Sequence, residues 1–196
     1  MADESVTWTK EEILEEAKRF RDQARRVFLE DGYHIPITFL FTTKNPKTGA
    51  AEKTTAMVPV LGKFEEQDKE AYSRLVRSMA QEFQAVGIIF ISEMWMLSYS
   101  KEGMTKEEVK AQQKKWTGHI HAHPERIEGL MLTCEHSRFG SVMWVAEVHR
   151  PNGPDGQRDP DGKPELGPWK GDDRFPEGNG LRSREGRFVD MLPQVD

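Results

Sequence analysis

Apolar residues recur at Ile13, Ala17, Phe20, Ala24 and Val27, three or four positions apart, with Glu, Lys, Arg and Asp between them. That period predicts a surface helix with one buried stripe over residues 9–30. Thr9 and Glu12 open it as a capping box, each side chain satisfying a free backbone N–H, and Gly32 is a natural stop. In "YHIPITFLFTT" the period shortens to two: Ile35, Ile37, Phe39 and Phe41 alternate, which predicts a strand with one buried face. The turn residues of "KNPKTGA" lead into a second strand, "EKTTAMVPVL", completing a β-hairpin. Pro36 and Pro59 cannot donate to a ladder and belong at strand ends or on an edge. "DKEAYSRLVRSMAQEFQAVG" predicts a second amphipathic helix, buried along Ala71, Leu75, Met79, Phe83 and Val86 and ended by Gly87. "IIFISEMWMLS" is the most apolar strand, expected at the centre of the sheet.

Residues 99–118 leave the sheet. Thr105 and Glu108 form another capping box, opening the short polar helix "KEEVKAQQKK", whose lack of an apolar face predicts a solvated connection. "GLMLTCEH" and "SVMWVAEVHR", joined by "SRFG", predict an antiparallel hairpin. The order α-β-β-α-β-(α)-β-β predicts an α+β fold. Its expected core is a mainly antiparallel sheet of about five strands, with the two long helices on one face.

The pattern stops at Pro151. Residues 151–180 hold 6 prolines and 7 glycines and few apolar side chains. Residues 1–150 are therefore read as one α+β domain, and 151–182 as an irregular, loosely packed tail. A short strand near "PELGPW" and anchors at Trp169 and Phe175 are expected along that tail. In residues 183–196, Phe188, Met191 and Leu192 fall at helical spacing, so this segment is expected to dock on the body or on a partner.

Composition narrows the function. A net charge of -5 gives no basic footprint for nucleic acid. The longest apolar run is interrupted by Ser92 and Glu93 and is too short to span a bilayer. One cysteine, Cys134, excludes an intramolecular disulfide, and "MADESVTWTKEE" is unlike a secretory leader, so a cytoplasmic setting is expected. The phosphate loop G-x-x-x-x-G-K-[ST] does not occur, nor do G-x-G-x-x-G, G-x-S-x-G or paired C-x-x-C motifs.

Three groups of residues carry candidate chemistry. Glu93 shares a strand face with Ile91 and Trp95, and Glu147 with Met143 and Val145. An acid on a buried face must be paired or protonated. Arg126, the first choice, or Arg150 would clamp Glu93; unpaired, it would be a general acid or base. Cys134 is expected to pack as a small apolar residue, a dyad with His136 being the alternative. In "GHIHAHPERIEG", His119, His121 and His123 alternate. Neighbours of equal parity lie about 6.6–7 Å apart at strand rise, so two of them can share a metal, with Glu135, His136 or Glu93 as third ligand or base.

The four residues of "HAHP" resemble the His-x-His-Pro signature of the JAMM metalloproteases, which cut isopeptide and peptide bonds with zinc. The resemblance implies zinc on His121 and His123. That family continues with a serine eight residues past the proline and an aspartate three further on, both on a helix; here Leu132 and Glu135 stand there, in a predicted strand. "SEMWM" and "HPERIEGLML" are similar to small proteins of bacteria and their phages over residues 70–150, which implies a microbial setting and no particular activity.

The reading that follows is a non-enzymatic protein that binds another macromolecule, a protein partner or a second copy, with no cofactor. Ordering a Gly/Pro-rich tail costs about 1–2 kcal/mol per residue, so a partner is a natural place for it to settle. Trp169 and Phe188 would serve such an interface. The alternatives are a zinc-dependent hydrolase on His121, His123 and Glu135, and a small-ligand module around Glu93, Trp95 and Trp144; Arg126 is a further candidate binding residue.

Overall fold

In the computed structural model, residues 6–45, 47–60, 66–96, 105–116, 120, 123, 125–151, 162–171, 173–175 and 192 are described. Helix α1 (Lys10–Asp31) forms where its period predicts. Thr9 Oγ1 accepts from the Glu12 N–H, the Glu12 carboxylate accepts from the Thr9 N–H, and Gly32 closes the far end at φ 78°. Its buried face is Ile13, Ala17, Ala24 and Phe28, with Phe20 at the margin.

Strands β1 (Ile37–Lys44) and β2 (Ala51–Pro59) pair as the expected hairpin. Helix α2 (Glu66–Glu82) precedes β3 (Gly87–Met96), which pairs with both β1 and β4 (Ile127–His136). Strand β5 (Gly140–His149) completes the second hairpin. The long strands run β2-β1-β3-β4-β5, each antiparallel to its neighbour. The polar helix α3 (Lys106–Trp116) carries the predicted Thr105–Glu108 capping box. No helix among the described residues is long and apolar enough to cross a membrane.

Three expectations are corrected. The two long helices lie on opposite faces of the sheet, not on one. Ile13, Ala17 and Phe28 of α1 pack with Phe41, Ile89, Ile91 and Leu132, whereas Tyr72, Val76 and Ala80 of α2 pack with Leu40, Ile88 and Phe90. The sign was in the sequence: "FLF" and "IIFI" are apolar at both parities, as a strand covered on both faces requires. The buried stripe of α2 is therefore Tyr72, Val76 and Ala80, and Leu75 faces solvent. Gly87 does not stop that helix. Gln84 turns the chain at φ 53°, and Gly87 opens β3, where an added Cβ would come within 2.9 Å of Ile13 and 3.1 Å of Phe41.

The described part of the tail, expected to pack loosely, is held to the body. Strands β6 (Glu165–Leu166) and β7 (Lys170–Gly171) pair with the outer edge of β5, giving six to seven strands in all. Leu166 and Phe175 are buried in the α1-side core, and Trp169 packs against it. Arg25 of α1 donates to the carbonyls of Leu166 and Gly167, each at 2.7 Å. Leu192 is buried on the α2 side. Phe188 and Met191 lie outside the described residues.

Candidate functional site

A gap is left between the C-terminal half of α1 and the start of β1. The gap is a cavity of about 220 Å³. Phe20, Ala24 and Val27 line it from the helix, and Ile37, Phe39 and Ile91 from the sheet. Phe20 and Phe39 stack directly on each other, 4.0 Å between ring centroids, and form one wall of it. The connection Asp31, Tyr33, His34, Ile35 closes one end. Met57 stands opposite Phe39 in the hairpin register and so carries the apolar surface on to β2. Tyr33, Ile35 and Met57 are 55%, 59% and 55% exposed, an unusual state for three large apolar residues so close together.

Gln23, Asp31 and His34 are the polar members of this lining, and of these His34 is the half-buried one. Its backbone N–H donates to Glu93 Oε1 at 2.6 Å. Its ring Nδ1 is buried and has no hydrogen-bond partner among the described residues. Burial pushes the imidazole below its ordinary range, the backbone of Ile35 offsetting part of the effect, so the ring is neutral at neutral pH.

Behind the groove lies an ion cluster. Arg150 follows β5 and reaches back across the sheet end. Its Nε donates to Glu128 at 2.7 Å, one terminal nitrogen to Glu93 at 3.1 Å and to Glu128, and the other to the Gly32 carbonyl at 2.7 Å. The guanidinium also covers the Phe28 ring, 5.5 Å from its centroid. Arg150 and Glu128 are each 12% exposed and Glu93 27%, so the cluster is largely shielded. Burial pushes the Glu93 carboxyl above the usual range; the His34 N–H and Arg150 pull it down, and Glu128 pushes it up again. Two carboxylates share one guanidinium, and the cluster also ties the end of α1 to the sheet.

The structure answers the expected pairing of Glu93 differently: Arg150 is its partner, not Arg126. Arg126 is exposed, stacks over Trp95 at 4.8 Å and donates to the His123 carbonyl. Trp144 is buried under α1, its indole N–H donating to Asp173 at 2.9 Å. It lies in the register row of Leu132 and Ile91, four residues along the strands from Trp95, or roughly 13 Å. Trp95, Trp144 and Glu93 therefore do not line one pocket. Glu147 pairs with Lys170 at 2.6 Å. Cys134 is fully buried and its thiol is pushed well up by that burial.

Of the expected metal ligands, His119 and His121 lie outside the described residues. His123 packs edge-on against Trp116 at 4.5 Å, and its Nδ1 accepts from the Glu125 N–H. Glu135 sits near the far end of β4, eight residues beyond Ile127, so roughly 26 Å of strand separates it from the histidine end. Glu135 and His123 are not brought together. Among the described residues, no three His, Cys, Asp or Glu are grouped so as to hold a metal.

Sequence reasoning missed His34, Tyr33 and Glu128. The available signal was "GYHIP", large side chains crowded between a helix stop and a proline, where a buried hairpin would place small polar ones.

A family model for the bacteriophage lambda protein ea47 matches residues 3–153. No curated protein and no solved structure matches the chain.

Proposed function

The chain belongs to the bacteriophage lambda protein ea47 family, and from that premise we propose that it acts by binding another protein in the groove between α1 and β1. The observation that carries this reading is the exposed apolar rim of Tyr33, Ile35 and Met57 around a part-open cavity. At about 220 Å³ the cavity falls below the roughly 300–1,000 Å³ usual for small-molecule sites and suits one side chain of a partner. Strand β2 adds an edge with no neighbouring strand among the described residues, beside the same groove. The described part of the tail is already packed on its own chain, so the groove, not the tail, is the surface offered to a partner in this reading. Glu93 is in this reading a structural anchor for Arg150 and the His34 backbone, and no residue is assigned a catalytic role and no cofactor is required.

The test is selection of binders from a random peptide library on the full chain, followed by Val27→Arg. Val27 lines the groove and is partly exposed, so an arginine there fills the groove while leaving the core intact. Selected peptides should lose about tenfold or more in affinity on the variant. Peptides that bind parent and Val27→Arg equally would sink the reading. Self-association abolished by the same substitution would identify the partner as a second copy.

A further inference from the structure

We propose that the surface running from the solvent side of α3 to the end of β3 binds single-stranded nucleic acid, with Lys110, Lys114 and Lys115 on the phosphates and the Arg126–Trp95 stack taking a base. This is a second site, apart from the groove, and it does not rest on the protein-binding reading.

The first observation is charge. The chain carries -5 overall, but residues 110–126 hold Lys110, Lys114, Lys115 and Arg126 against a single acid, Glu125. Helix α3 sorts its side chains by side. At about 100° per residue Val109 and Trp116 fall together, and both are half-buried. Lys110, Lys114 and Lys115 fall on the other side, and all three are exposed. Lys110 and Lys114 stand one turn apart, where like charges repel. None of the three forms an ion pair among the described residues. A polyanion laid along this side relieves the repulsion and releases its own counter-ions.

The second observation is a continuous ridge in which aromatic rings and cations follow one another. Lys115 Nζ lies over the Trp116 ring, 5.4 Å from its centroid, and Trp116 meets His123 edge-on at 4.5 Å. The His123 carbonyl accepts from Arg126 at 3.3 Å, and Arg126 lies over Trp95 at 4.8 Å. Trp95 is 38% exposed and Arg126 is exposed above it, so the outer side of the stack is open to solvent. The carboxylates nearest in the sheet do not compete for Arg126. Glu128, opposite Trp95 in the register, and Glu93 are both held by Arg150. The guanidinium of Arg126 uses one terminal nitrogen on His123 and forms no ion pair among the described residues. A flat cation stacked on an indole can take a base on its free face and a phosphate at its rim. An acidic peptide would use the charges and leave the rings idle, and a duplex would hide its base faces. Single-stranded nucleic acid uses both, because stacking tolerates any base while the phosphates meet the lysines.

The experiment follows the anisotropy of three labelled probes titrated with the full chain. They are a short oligothymidylate, an abasic deoxyribose–phosphate oligomer of the same length, and a polyglutamate of the same charge. Oligothymidylate should bind at low salt, with log K falling against log salt by about 0.7 for each phosphate contact. It should bind about fivefold or more tightly than the abasic oligomer, the worth of one stacked base. Trp95→Ala should close that gap; Arg126→Ala, which truncates an exposed side chain, must close it likewise should Trp95→Ala fail to fold. The double reversal Lys110→Glu and Lys114→Glu should weaken both oligomers alike and flatten the salt dependence. No binding of oligothymidylate at low salt overturns the proposal. So does equal affinity for the two oligomers, or a gap that survives both Trp95→Ala and Arg126→Ala. Polyglutamate binding as tightly as oligothymidylate also overturns it and makes the partner an acidic protein.

Discussion

Replacing Arg150 by methionine isolates what holds the end of α1 to the sheet. The methionine keeps an apolar stem over Phe28 and removes every hydrogen bond of the guanidinium. Those bonds run to Glu128, to Glu93 and to the Gly32 carbonyl. The loss is therefore threefold: two shielded carboxylates face each other with no counter-ion, and a carbonyl just past the helix end loses its donor. Breaking a buried pair in this way costs about 3–5 kcal/mol, which for a chain of this size lowers Tm by roughly 6–20 °C. Glu93→Gln should cost much less, below about 1.5 kcal/mol, because Arg150 keeps Glu128 and one charge leaves an already acidic cluster. The pH dependence has a definite sign. In the parent, the raised Glu93 carboxyl contributes stability that is full below its ordinary value of 4.5 and lost as pH rises through the higher folded value. Without Arg150 the Glu93 carboxyl loses a charge that pulls it down and titrates higher still, so the deficit of Arg150→Met should be largest near neutrality and shrink on acidification. Urea unfolding of the parent and both variants across that range measures it. A deficit below about 1 kcal/mol, or one independent of pH, would refute the account of the cluster.

Two further outcomes are expected. His136 is buried, its Nδ1 accepts from the Arg138 N–H, and burial followed by the Arg138 charge lowers its imidazole from 6.5 to about 4. Stability held above pH 6.5 should thus be lost as pH falls toward 4; by pH 4.5 the loss is on the order of 2–3 kcal/mol, and His136→Phe should abolish that slope in urea unfolding. A variant with the parent's pH profile would show that His136 is not its source. Gly171→Ala would place a Cβ 2.2 Å from the Met143 carbonyl oxygen, so β7 should detach from β5 and limited proteolysis should cut residues 162–175 earlier than in the parent. Unchanged protection there would mean that β7 does not hold this part of the tail.

How far the sequence reaches can be judged from particular residues. Everything that depends on short range was legible in it. The Thr9–Glu12 and Thr105–Glu108 boxes, the Gly32 stop, both hairpins and the burial of Cys134 follow from spacing and side-chain chemistry within a few residues. What depends on how elements stack was not. The opposite placement of α1 and α2 is decided by which strand face each helix can reach. A helical period gives a stripe but not the face it covers, and the continuous apolar runs of β1 and β3 were the one hint. Glu93 was recognisable as an acid needing a partner. Its choice of Arg150 over Arg126 was fixed by the β4–β5 register, which returns the chain end to the helix terminus. The tail offered two apolar anchors and no period, since its attachment runs through Arg25 and a sheet edge remote in sequence. The groove belongs wholly to the tertiary structure: it is the space left between a helix, a sheet face and the connection that joins them, and no single segment encodes a space between segments.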